Sequence, residues 1–163
     1  MDFFPGLRAM ENFHPVFVHA PLTLLPLALV FQALAVWFDF AHHRWRGRED
    51  WQKLALWFLC LGAVGALAGA GTGLLAEEEV TVPQPGWETI ERHELLMLIT
   101  TGLAVVLAAG ALWFRKRLRR GLQAGLLVGL LVLNGLLAVG ADLGGRLVYE
   151  FGVSVKKEAA QPD

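Results

Sequence analysis

Five side chains in a largely apolar sequence have the chemistry to hold a cofactor: His14, His19, His93, Asp142 and Arg146. Neutral imidazole ligates haem iron, zinc and copper. A carboxylate can orient a ligating imidazole through its other ring nitrogen, and an arginine can meet a haem propionate. His14 and His19 frame the run His14-Pro15-Val16-Phe17-Val18-His19. At about 100° per residue they fall about 140° apart around a helix, so an ideal helix cannot aim both at one metal. Pro15 suits a first helical turn, which makes His14 the expected N-cap. Pro21 and Pro26 each remove a helical hydrogen bond and loosen that geometry. His93 lies in Glu91-Arg92-His93-Glu94, and Asp142 and Arg146 have the spacing of an intrahelical ion pair.

The elements that position these residues are membrane helices. The chain of 163 residues is 55% hydrophobic and 18% charged, against about 45–50% and about 25% in soluble proteins. A spanning helix needs about 20 mostly apolar residues. Four segments qualify, at about 14–40, 52–76, 87–115 and 120–150. They are apolar on all sides, which argues against surface helices of a soluble protein. The expected fold is an all-α membrane protein, an up-down-up-down antiparallel bundle of four transmembrane helices over residues 14–155. A short interfacial segment is expected at 1–13 and a disordered tail at 156–163.

Charge fixes an orientation. His42 to Asp50 and Arg115 to Arg120 are basic connections, whereas the middle one, with Glu77-Glu78-Glu79, Pro83, Pro85 and Gly86, is acidic. Basic loops stay in the cytoplasm, so both termini are expected on the outer, periplasmic side of the inner membrane. Met1-Asp2-Phe3-Phe4 has no basic leader pattern, so the first span is expected to serve as its own insertion signal. Most of the six tryptophans fall near helix ends, as an interfacial belt would. The lone Cys60 excludes an internal disulfide and a Cys-rich metal site. The net charge of −1 points to no nucleic-acid partner.

With that topology, His14, His19, His93, Asp142 and Arg146 all map to the outer end. Diagonal helices one and three can present His19 and His93 to opposite faces of one haem b, with His14 as substitute ligand or propionate partner. Gly62, Gly65, Gly69, Gly71 and Gly73 on helix two, and Gly125, Gly129, Gly135, Gly140, Gly144 and Gly145 on helix four, would give the ring thin walls. The same glycines also suit ordinary helix packing. His42 and His43 have no histidine partner at the inner end of helix three, which argues against a second haem there. Three histidines with Asp142 could instead hold a zinc, copper or iron ion. A cofactor-free structural subunit of a larger membrane complex is the third alternative. No nucleophile–base pair or phosphate loop is visible, so independent catalysis is not expected.

The opening from His14 to Leu22 resembles the "HPxxVHFPI" start of the prokaryotic membrane family called domain of unknown function 2231. Leu143 to Val155 is similar to that family's "GGxLVYxxGVxV" ending, and His93 holds the place of a histidine opening helix three. Ala20 stands where the family often has Phe, and Phe151 where a polar residue, often His, is expected. Fusions of relatives to Rieske or c-type cytochrome modules imply electron-transfer surroundings. From that resemblance the expected partners, besides the bilayer, are quinol, a cytochrome c or Rieske-type protein, or a larger membrane complex.

Overall fold

The computed structural model describes residues 12–41, 48–78, 80, 82–115 and 120–154. The segment at 1–11, the tail from 155, His42 and His43 lie outside the described residues, as does most of the last basic connection. A short turn, α1 (His14–Phe17), leads into α2 (His19–Ala41). Three long helices follow: α3 (Arg48–Glu77), α4 (Gln84–Phe114) and α5 (Arg120–Tyr149). Among the described residues there is no strand. Four helices are long and apolar enough to cross a membrane. α3 and α4 begin a few residues before their apolar runs, because polar residues can continue a helix beyond the hydrocarbon layer.

The break between α1 and α2 has a covalent cause. Pro21 has no N–H to offer the carbonyl of Phe17, so the helical ladder is interrupted where Val18 forms a turn. Val18 keeps helical dihedrals and its N–H still reaches the His14 carbonyl at 3.2 Å, so α1 runs into α2 as one span that lacks a single ladder bond.

The helices close into a ring. α2 packs on α3 and α5, and α4 packs on the same two, while α2 and α4 make no close backbone approach. α2 and α4 are therefore diagonal. Buried positions on α2 run Leu25, Ala28, Gln32, Ala35 and Asp39, alternating steps of three and four as in a coiled-coil seam. Alanine fills much of the interior, with Ala55, Ala63 and Ala66 on α3 and Ala104, Ala108 and Ala111 on α4. Large side chains such as Trp37, Trp57, Val106 and Trp113 turn outward. Small residues inside bring helices close, and bulky apolar ones outside suit lipid. Gly65 illustrates the closeness: a Cβ there would lie 2.9 Å from the Ala20 Cβ and 3.3 Å from the Pro21 nitrogen.

The seam between α2 and α5 has no connecting loop, and polar contacts fasten it. Arg120 Nε lies 2.9 Å from Asp39 Oδ2. Gln32 Nε2 donates to the Gln123 carbonyl at 3.1 Å, and Asn134 Nδ2 donates to the Leu25 carbonyl at 3.3 Å. Opposite, Phe31 of α2 stacks between Trp51 and Phe58 of α3, with centroids 5.5 and 5.2 Å away.

Candidate functional site at the histidine end of the bundle

The end of the bundle opposite the Asp39–Arg120 pair encloses a cavity of about 520 Å³, with mostly apolar walls. All four spans contribute. His14 and His19 come from the first, Gly69 and Gly73 from α3, His93 and Met97 from α4, and Ala141 and Gly144 from α5.

His14 is the first residue of α1 rather than its cap. Phe13 occupies the cap position, and the Asn12 side chain supplies the missing acceptor, with Oδ1 3.2 Å from the His14 N–H. The His14 ring is half-buried, with Nδ1 3.2 Å from Thr72 Oγ1 on α3. The Thr72 hydroxyl commits its own hydrogen to the carbonyls of Ala68 and Gly69, at 2.9 and 3.0 Å. Its oxygen is left to accept, so the hydrogen between Thr72 and His14 belongs to the imidazole.

His93 follows the same logic from the other side. Nδ1 lies 2.9 Å from the carbonyl oxygen of Gly140 on α5, and a carbonyl can only accept. His19 Nδ1 lies 2.6 Å from the Pro15 carbonyl of its own span. In the neutral state these contacts place the hydrogen of each ring on Nδ1 and leave the Nε2 lone pair. The Gly69 carbonyl also lies within hydrogen-bonding reach of the His14 ring, and no described contact engages Nε2 of His19 or His93. A fixed Nδ1–H with an available Nε2 is the state in which imidazole ligates a metal or accepts a hydrogen bond from a ligand.

Glycine makes room for both half-buried rings. A Cβ at Gly73 would lie 3.0 Å from His14 Cε1, and one at Gly144 would lie 3.2 Å from His93 Cε1. Gly69 is buried in the wall, yet a Cβ there would meet nothing within 4 Å. His14 and His93 lie within electrostatic range of each other.

The other predicted site residues are placed differently. His19 lines the cavity but is exposed. Asp142 and Arg146 sit on the outer surface of α5 and do not line the cavity. Arg146 pairs with Glu150, Nε to Oε2 at 2.6 Å, and its guanidinium lies 5.7 Å from the Phe151 ring centroid. The predicted Asp142–Arg146 pair gives way to the next carboxylate on the same helix row. Among the described residues, no three or more His, Cys, Asp or Glu side chains converge where an ion could sit.

Sequence reasoning missed Asn12, Thr72 and Met97, and it gave Gly140 as a thin wall rather than as the acceptor for His93. Thr72 carried a faint signal, as the single side-chain hydroxyl within the glycine-rich stretch Gly69 to Gly73. The acceptor for His93 is a backbone carbonyl, which has no signature in a sequence.

No curated protein and no solved structure matches the chain. The model of the family described as "Predicted membrane protein (DUF2231)" matches residues 10–157, nearly the whole length. With the four spanning helices and the motifs at both ends, that match places the chain in the DUF2231 family of membrane proteins.

Proposed function

We propose that the chain is a small membrane redox protein that holds one haem b in the histidine-lined cavity. The observation that carries this is the shared state of the rings. His14 and His93 come from opposite sides of the bundle, each with Nδ1 hydrogen-bonded and Nε2 available beside an apolar space. His93 and, of the two histidines on the first span, the half-buried His14 in preference to the exposed His19 would hold the iron.

The residues fit a planar macrocycle. α2 and α4 are diagonal, so a ring between them must be flanked by α3 and α5, and Gly69, Gly73 and Gly144 leave space there. The cavity volume lies within the range of about 300–1,000 Å³ usual for ligand pockets. Haem supplies one-electron redox chemistry when bound. The chain's own residues orient the donors, strengthen them through the Nδ1 hydrogen bonds and keep water out with apolar walls.

The bundle is read as up-down-up-down in the inner membrane. The basic connections lie beside Asp39 and Arg120, which supports a cytoplasmic assignment of that end and a periplasmic one for the cavity and both termini. A quinol or a periplasmic carrier such as a cytochrome c or Rieske-type protein would exchange electrons with the site.

The test is an absorption spectrum of protein purified in mild detergent from cells supplied with haem, oxidised and then dithionite-reduced. A Soret band with sharp reduced α and β bands, lost in both His14→Ala and His93→Ala, is the expected result. A featureless visible spectrum with bound zinc, copper or iron would replace haem by a metal ion. A featureless spectrum without metal would leave the accessory-subunit reading.

A further inference from the structure

The turn that follows α5 places Val153 and Ser154 in the cavity wall, where the function above does not use them. α5 ends at Tyr149, and the chain then turns back on itself. Gly152 has φ 68° and Ser154 has φ 60°, both in the left-handed region. The turn is closed by backbone hydrogen bonds from Gly152 N to Val148 O at 3.1 Å and from Val153 N to Leu147 O at 3.0 Å. Gly152 provides the first of these conformations without a Cβ penalty. The reversal lays Val153 and Ser154 against the cavity. Phe151 meanwhile rests near Gly86 at the head of α4, where a Cβ would lie 3.4 Å from Phe151 Cδ1.

One side chain joins this turn to a histidine. Asn12 Nδ2 donates to Ser154 Oγ at 3.0 Å, across 142 residues of sequence. The same carboxamide uses Oδ1 to accept the His14 N–H at 3.2 Å. His14 rides on the short turn α1, where Pro21 leaves the Phe17 carbonyl without its ladder bond. Its side chain is held by Thr72 and its backbone start by Asn12. The clasp between Asn12 and Ser154 is a single neutral hydrogen bond between half-buried groups, so water can compete for it.

We propose that residues 150–154 are a hinged cover whose closure, through Asn12, seats His14 in the cavity. Opening breaks the Asn12–Ser154 bond, uncovers the cavity and loosens α1 together. The cover thereby links access to the site with the position of one of its histidines. This holds whatever occupies the cavity, so its failure is separable from that of the haem reading.

The test uses the full chain in detergent without added cofactor. A cysteine is placed in the cavity wall by Ala141→Cys in a Cys60→Ala background, and its maleimide labelling rate is measured. His14 modification by diethyl pyrocarbonate is followed in the same samples by mass spectrometry, with exposed His19 as internal reference. Ser154→Gly removes the clasp while tolerating the positive φ. It is expected to raise both rates about fivefold to tenfold, the factor for losing one hydrogen bond, with His19 unchanged.

Unchanged rates at both positions would overturn the cover. Faster cysteine labelling with unchanged His14 would overturn its coupling to His14. If Ser154→Gly fails to fold, Asn12→Cys/Ser154→Cys carries the test, since the two side chains already touch. Its oxidised form should protect His14 relative to its reduced form, and equal modification of the two would overturn the proposal.

Discussion

The carbonyl oxygen of Gly140 on α5 holds the imidazole of His93 on α4, 2.9 Å from Nδ1. Gly140 has a second role, because Met97, one turn beyond His93, packs its thioether where a Gly140 side chain would be. One backbone position therefore supplies an acceptor for the ring and a seat for the neighbouring side chain. In Gly140→Ala the new methyl meets only the flexible end of Met97, which can swing away. Gly140→Val adds β-branched bulk and is expected to push α5 from α4 and lengthen the bond to His93. Haem titration should show Gly140→Ala close to wild type and Gly140→Val about 10–100-fold weaker, as for loss of an outer-sphere partner. Equal affinity of Gly140→Val and wild type would remove the carbonyl from the account.

Thr72 does for His14 what the Gly140 carbonyl does for His93. Thr72→Val keeps the shape and deletes the acceptor, so His14 Nδ1 loses its partner and the ring can turn. A drop in cofactor affinity of about 10–100-fold is expected. Thr72→Ser should restore most of it, because the hydroxyl still bridges His14 and the α3 carbonyls. Thr72→Val binding as tightly as wild type would mean that the hydroxyl does not hold the ring.

The four spans were legible because hydrocarbon thickness imposes a length and an all-round apolarity that a sequence displays directly. The gathering of His14, His19 and His93 at one end followed from topology, since short connections make successive spans antiparallel. Which histidine turns inward was not legible. It depends on the Thr72 hydroxyl that takes the His14 ring and on the Pro15 carbonyl that takes the His19 ring, and helical spacing displays neither. The partner of Arg146 was equally hidden. Asp142 and Glu150 lie four residues to either side of it, and sequence spacing cannot choose between two equivalent offers. The acceptors for the rings came from a glycine backbone and a lone threonine, neither of which stands out among so many small residues.

The Asp39–Arg120 pair closes the seam at the far end from the cavity. Asp39 is 4% exposed, whereas the Arg120 side chain is 53% exposed. Arg120→Ala would take a cation from beside a buried carboxylate and is expected to destabilise the bundle by up to about 3 kcal/mol, the lower end for breaking a buried pair because water still reaches the arginine side. Asp39→Asn combined with Arg120→Ala should recover part of that loss, since no charge remains to be buried. Thermal unfolding of the four members of this double-mutant cycle in detergent is the measurement. A double variant no more stable than Arg120→Ala alone would mean that the seam depends on the arginine's packing rather than on the pair.

Gly69 offers a way to separate the cavity from the fold. It is buried in α3 and lines the cavity, and a Cβ there would meet no atom within 4 Å. Gly69→Leu can therefore enter without displacing a neighbour, and it exchanges a helical glycine for a residue favoured by about 0.8–1.0 kcal/mol. The filled wall also gains the contacts that an empty cavity forgoes. Thermal stability should be retained or raised, while haem binding and its Soret band disappear. Loss of both together would mean that α3 needs Gly69 for packing. Retention of both would place the ligand site outside this cavity, and the imidazoles of His14 and His93 would then need another explanation for their fixed Nδ1 hydrogens.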